Sequence, residues 1–197
     1  MKRYIIYDIV APILTVLYKI LFFSRTKNKH NVPKTGGFII SGNHSSNLDA
    51  PLFAAVLPRN IRFLSKKELF ANKFTNWFFT NAGCVPVDRG ASEVSIFKLV
   101  VKLLKEGNVV SVFPEGTRHC KSIDDVKSGA VLFAIKARVP ILPTAIIGKF
   151  RLFSGVKVVF GEPKYYDEYY DKKMSAEQLH ELSVELIKEI YAIVENG

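Results

Sequence analysis

The chain has 197 residues, of which 48% are hydrophobic, and a formal net charge of +10 from 28 basic and 18 acidic side chains; that length and apolar content suit one globular domain with a single sizeable core. Its two cysteines, Cys84 and Cys120, are too few for a disulfide framework and read as free thiols of a reducing compartment. Neither they nor the four histidines stand at metal-ligand spacing, so no metal and no cofactor is expected.

The charge is unevenly spread. Residues 162–197 hold nine acidic and four basic side chains, a balance of −5, which leaves 24 basic and 9 acidic in residues 1–161, a balance of +15. Such a field draws an anionic partner: nucleic acid, a phospholipid surface or a phosphorylated substrate. No RNP-type aromatic motif, helix-turn-helix signature or zinc knuckle is present, and the basic residues from Arg59 to Arg118 are scattered among apolar runs. No nucleic-acid partner is therefore expected.

Residues 1–23 read MKRYIIYDIVAPILTVLYKILFF. Asp8, Pro12 and Lys19 interrupt the apolar run, which falls short of the ~20 residues that span a bilayer. Asp8, Thr15 and Lys19 recur at helical spacing as a narrow polar stripe beside a wide apolar face, the pattern of a helix lying in a membrane interface. Arg25, Lys27, Lys29 and Lys34 follow as a basic collar suited to anionic lipid. Two other readings share these residues. A secretory signal would need a small-residue cleavage site before the collar, and none is seen; a helix packed on the protein's own core fits the apolar pattern as well. The expected organisation is an interfacial helix over residues 1–23 and a catalytic domain over 24–197.

A turn at residues 32–37 leads into an apolar strand at 38–41, a polar loop at 43–49, and a helix at 51–57 with Pro51 in its first turn. Residues 62–65 suit a second strand, 68–81 a Phe- and Trp-rich helix, and 84–87 a third strand. Residues 92–105 repeat Val94, Phe97, Val100, Val101 and Leu104 at helical intervals, closed by Gly107. A strand at 109–113 feeds a Pro/Gly turn at 114–118, and a helix at 128–137 and strands at 141–147 and 156–160 follow. Ser175 and Gln178 then form a capping-box pattern before a final helix with Leu179, Leu182, Leu186, Ile190 and Val194 on one face. Strands alternating with helices predict a single-domain α/β fold, a mostly parallel or mixed sheet flanked by helices. Its chemistry is expected on the loops after the strands.

Two such loops carry chemistry-bearing residues. Asp49 lies five positions after His44, about 140° from it on a continuous helix. The two can meet only if His44 sits in the loop and Asp49 opens the helix; taken alone, Asp49 also fits a plain helix cap and His44 a satisfied loop histidine. In Phe113-Pro114-Glu115-Gly116-Thr117-Arg118 the Pro and Gly force a tight turn after a strand and project Glu115 and Arg118 from one edge. The planar guanidinium suits a phosphate. Arg89, closing Gly83–Arg89, follows another strand, where a structural ion pair with Asp88 or Asp124 is the simpler reading.

Together these blocks resemble the glycerolipid acyltransferase family, and in particular its bacterial 1-acylglycerol-3-phosphate acyltransferases. His44-x4-Asp49 matches the family's HX4D motif. Gly83–Arg89 matches its second block, with Pro86 where some members have Phe; Phe113–Arg118 matches FPEGTR, with His119 following where Ser is usual. Val139-Pro140-Ile141-Leu142-Pro143 matches the fourth, and Lys66–Phe70 and Lys127–Gly129 also look like family elements. The similarity spans roughly residues 38–144 in order. It implies that His44 and Asp49 are catalytic, and that Glu115, Gly116, Thr117, Arg118, Lys66 and Arg89 bind substrate. The implied reaction moves an acyl group from acyl-CoA or acyl-carrier protein to lysophosphatidate, giving phosphatidate, with no acyl-enzyme. The expected location is the cytoplasmic face of the cell membrane, held peripherally or monotopically on an anionic surface. Acylation of another lysolipid or of glycerol 3-phosphate, or a non-catalytic phospholipid-binding module, are the alternatives.

Overall fold

The structure is a computed structural model of the chain and describes residues 4–88, 90, 92–116 and 125–197. Its helices are α1 (Ile5–Phe22), α2 (Asp49–Val56), α3 (Lys73–Asn81), α4 (Glu93–Lys105), α5 (Gly129–Ala137) and α6 (Ala176–Asn196). Its strands are β1 (Arg25–Lys27), β2 (Phe38–Gly42), β3 (Ile61–Lys66), β4 (Cys84–Val87), β5 (Val109–Ser111), β6 (Ile141–Ile147) and β7 (Lys157–Phe160). The strands form one sheet in the order β1-β7-β6-β2-β5-β3-β4. Strands β2 to β6 all run the same way, whereas β7 pairs antiparallel with β6 and parallel with β1. The sheet is therefore mixed, within the expected α/β class.

Alternation along β2 explains the layers. Phe38 and Ile40 join Leu52, Phe53 and Ile61 beneath α1 and α2, while Ile39 joins Val110, Ile141, Ala134 and Leu186 beneath α4, α5 and α6. All five residues of β2 are buried, as a central strand covered on both faces must be. Gly42 ends it, because a Cβ there would come within 2.7 Å of both the Phe53 ring and the Thr144 carbonyl oxygen. The strand can turn under α2 only where it carries no side chain.

Three local expectations change. Arg25 and Lys27, read as part of a loose collar, belong to edge strand β1, in register with Lys157 and Val159 of β7, although both side chains stay exposed. The single helix expected over 68–81 is a 3₁₀ turn at Lys67–Phe70 followed by α3. Asn72 caps α3 in a reciprocal box with Thr75, so the chain restarts there. The strand expected to reach Phe113 ends at Ser111.

α1 divides its surface as its sequence suggests, with one shift. Tyr7 and Tyr18 are buried and Ala11 and Leu14 partly so against α2 and the core. The Thr15 hydroxyl of the polar stripe turns inward, 2.6 Å from the Ala55 carbonyl oxygen, and Asp8 accepts from the Asn60 amide at 3.2 Å. On the opposite face Ile5, Ile9, Ile13, Val16 and Ile20 are each more than half exposed. The apolar run, expected to fall short of a membrane span, forms an 18-residue helix that, with a mean hydropathy of 1.9, is long and apolar enough for one by length and composition; one side of it is nonetheless committed to the domain.

Candidate active site

The parallel strands β2, β5, β3 and β4 all end at one sheet edge. The His44 loop follows β2 there, the Phe113–Gly116 turn follows β5, and Lys66 closes β3. Asn43 fixes the start of the first loop. Its amide donates to the Ile146 carbonyl at 2.9 Å and accepts from the Ile146 N–H at 2.7 Å, tying the loop to β6 as a backbone bridge would.

His44 stays in the loop and Asp49 is the first residue of α2, the one arrangement in which five residues of separation let the pair meet. His44 Nδ1 lies 2.8 Å from Asp49 Oδ2, which also accepts from the N–H groups of Ser45 at 2.8 Å and Ser46 at 2.7 Å. A carboxylate offers only acceptors, so Nδ1 carries the proton and the lone pair of the neutral ring lies on Nε2. Asp49 is fully buried and the His44 side chain 19% exposed. The ring stacks on Phe113 at 4.0 Å and 16°, and Phe113 stacks on Phe53. The imidazole is thus held by one edge and one face.

The turn after β5 closes on this loop from the other side. Glu115 is buried, and both its oxygens take protein donors: Oε2 the His44 backbone N–H at 3.3 Å, Oε1 the Tyr191 hydroxyl at 2.8 Å. Gly116 has φ +65°, and a Cβ there would come within 2.9 Å of Lys127 Cγ. That left-handed turn brings Lys127 alongside, its N–H donating to the Pro114 carbonyl at 2.8 Å. Tyr191, on α6, carries no local signal in the sequence; it sits just beside the apolar stripe of that helix, and only the fold brings it to the turn.

An apolar cleft of about 550 Å³ opens between α1, α2 and the β3–β4 edge and reaches the loop between the pair at Asn47, with Leu14, Phe63, Leu69, Phe79 and Cys84 among its other lining residues. Burial pushes the Cys84 thiol up, against lowering from the Ser65 hydrogen bond and Arg62. Leu69 and Phe79 of the aromatic stretch face the cleft, whereas Phe74 and Trp77 are exposed.

The structure therefore brings His44, Asp49, Glu115 and Gly116 together. Lys66 is exposed at the same sheet edge, with no ion pair among the described residues. Thr117, Arg118 and Arg89, like Cys120, lie outside the described residues. Asp88, one candidate partner for Arg89, pairs with Lys67 at 3.2 Å.

The same arrangement has relatives. A family model described as Acyltransferase matches residues 24–147. The chain is similar to the 1-acyl-sn-glycerol-3-phosphate acyltransferase of Bacillus subtilis (strain 168), 35% identical over 83% of this chain and 84% of that protein. It is also similar to the protein of that name from Streptococcus pneumoniae (strain ATCC BAA-255 / R6), 31% identical over 71% of this chain and 53% of that one. The chain thus spans about half the length of the second relative. The crystal structure of the 1-acyl-sn-glycerophosphate (LPA) acyltransferase PlsC from Thermotoga maritima has the same fold, with a TM-score of 0.71 at 23% identity over 95% of this chain and 79% of that one. The matched segment runs from β1 through β6 and carries both loops that meet at His44, and on that evidence the chain belongs to the acyltransferase family.

Proposed function

We propose that the protein transfers an acyl group from an acyl thioester to the free hydroxyl of 1-acylglycerol 3-phosphate, giving phosphatidate. The observation that carries this reading is the His44–Asp49 pair, with an apolar cleft reaching the loop between its two residues, in a chain whose relatives are named for that activity. Nε2 of His44 takes the proton of the acceptor hydroxyl as its oxygen attacks the thioester carbonyl carbon. Collapse of the tetrahedral intermediate breaks the C–S bond, and the imidazolium returns the proton to the leaving thiolate. Asp49 holds the tautomer and stabilises the imidazolium, as the acid of a hydrolase triad does without the serine. The nucleophile is the substrate's own, so no acyl-enzyme forms.

Arg118, with Lys66 and Arg89, neutralises the acceptor's phosphate, and Thr117 binds the substrate beside them. Glu115 and Gly116 shape this pocket from within, since both Glu115 oxygens already hold protein donors. The acyl chain lies in the cleft lined by Leu69 and Phe79. The donor is acyl-CoA or acyl-carrier protein, either of which suits the basic body of the chain. Residues 1–23 form the interfacial element and 24–197 the catalytic domain, with the exposed aliphatic face of α1 in the cytoplasmic leaflet of the cell membrane.

The test is release of free thiol from an acyl thioester by the purified protein in detergent. Release should require lysophosphatidate. No release with acyl-CoA or acyl-carrier protein as donor would overturn the assignment and point to another lysolipid acceptor or to a binding module. Two substitutions refine the scheme. Cys84→Ser, close in volume, is expected to keep kcat within about threefold, because a thiol pushed up by burial is a poor nucleophile; loss of most turnover would sink direct transfer. Tyr191→Phe removes the donor to Glu115. It is expected to lower kcat severalfold and Tm by about 2–4 °C, the effect of about 1 kcal/mol in a chain of this size. An unchanged kcat would confine Tyr191 to stability.

A further inference from the structure

We propose that the loop of residues 148–155, between β6 and β7, is a second membrane-inserting element, a rigid hook that sets the tilt of the molecule on an anionic bilayer. This rests on the reading of α1 as an interfacial helix and extends it to a segment with no place in the chemistry. The loop is welded to the end of α1. The Phe153 N–H donates to the Leu21 carbonyl at 2.7 Å and the Val156 N–H to the Phe22 carbonyl at 2.9 Å, satisfying helix-end acceptors that would otherwise need water. Phe150 packs inward against Tyr18 and Phe22, with ring centroids 6.1 and 5.4 Å away. The Ser154 hydroxyl lies 2.6 Å from the Lys149 carbonyl and 2.8 Å from that of Arg151, closing the hook on itself.

So firm a base presents an unusually apolar tip. Leu152 is 64% and Phe153 60% exposed. Phe153 sits at φ +60° and its ring partner Phe23 at φ +45°, a backbone region that large L side chains rarely occupy. Their rings lie 5.4 Å apart. Phe23 is itself 50% exposed, and Ile20, one turn back on the outer face of α1, is 58% exposed, so the tip continues that face. Glycine would serve either left-handed position without strain; holding two phenylalanines there, outward, has a use only if something apolar receives them.

The surrounding charge names the receiver. Lys149 and Arg151 flank the tip, and Lys19 and Arg25 stand on the rim of a groove of about 620 Å³ between the loop and α1. None of these four has an ion-pair partner among the described residues. Lys157, also on the rim, is engaged by the Gly197 carbonyl. Apolar side chains projecting through a ring of unpaired cations match hydrocarbon beneath anionic headgroups.

The deciding measurement places the chain's one tryptophan in the tip. In a Trp77→Phe, Leu152→Trp variant of the full chain, emission should shift to the blue and be quenched by acyl-brominated lipid in vesicles of phosphatidylcholine with about one-third phosphatidylglycerol. A Leu152→Ser, Phe153→Gly variant relieves the left-handed strain and therefore should keep its fold. It is expected to bind the same vesicles at least tenfold more weakly. An Ile13→Ser, Ile20→Ser variant tests α1 separately. If the protein floats with vesicles and depends on Ile13 and Ile20 while the tryptophan introduced in the tip goes unquenched, the hook is overturned and the helix stands. If wild type fails to bind these vesicles, both fall.

Discussion

Replacing His44 with alanine is expected to lower kcat by about 10³-fold, inside the 10²–10⁴ that a positioned general base typically contributes, with KM for lysophosphatidate nearly unchanged. The ring presents an unshared nitrogen that faces away from its anchors: Nδ1 is committed to Asp49 at 2.8 Å and one face to Phe113 at 4.0 Å. In the proposed scheme, removing it takes away the acceptor for the hydroxyl proton, an interaction made in the transition state, so the loss belongs in kcat. The fold should survive. The side chain is 19% exposed, and the backbone N–H that holds Glu115 belongs to position 44 whatever its side chain. Thiol release measured beside a thermal melt separates the two effects. A variant that melts near wild type and still turns over within tenfold of it would remove His44 as the base.

The strands that short apolar runs between other elements mark were legible in full: β4 over Cys84–Val87 and β6 over Ile141–Ile147. What escaped depends on neighbours distant in sequence. Arg25-Thr26-Lys27 has no apolar pattern of its own and becomes a strand because β7 offers its edge at Lys157 to Val159. The break before α3 was present in the residues, since Asn72 and Thr75 stand at capping-box spacing, but the aromatic periodicity across it reads as one helix. Within the candidate site, the His44–Asp49 separation already required a loop-to-helix step, and the structure has that step at Asp49. The role of Glu115 as a tie between the His44 loop and α6 was not legible, because it needs Tyr191, 76 residues away, on a helix whose face gives no sign of it.

Asp49→Asn tests the other half of the pair, and here the hydrogen bonds dictate what is lost. One oxygen, Oδ2, takes three donors, from His44, Ser45 and Ser46, while buried Oδ1 has no partner among the described residues. An amide can place its carbonyl oxygen at the Oδ2 position and keep all three bonds, leaving its NH₂ at Oδ1, where it finds no acceptor. The fold should therefore lose only about 1–3 kcal/mol, the penalty of one unsatisfied buried donor. Turnover should fall by about 10²–10⁴, because a neutral oxygen no longer stabilises the imidazolium that forms as the hydroxyl proton moves. Asp49→Ala differs in kind: it strands the Ser45 and Ser46 N–H groups as well and should lower stability further while costing no less activity. If base and acid act as a unit, as the proposed scheme has it, His44→Ala combined with Asp49→Asn should be scarcely slower than His44→Ala alone. Losses that instead multiply in the double variant would mean that Asp49 serves the reaction by a route other than His44, and that the carboxylate's place is in shaping the loop.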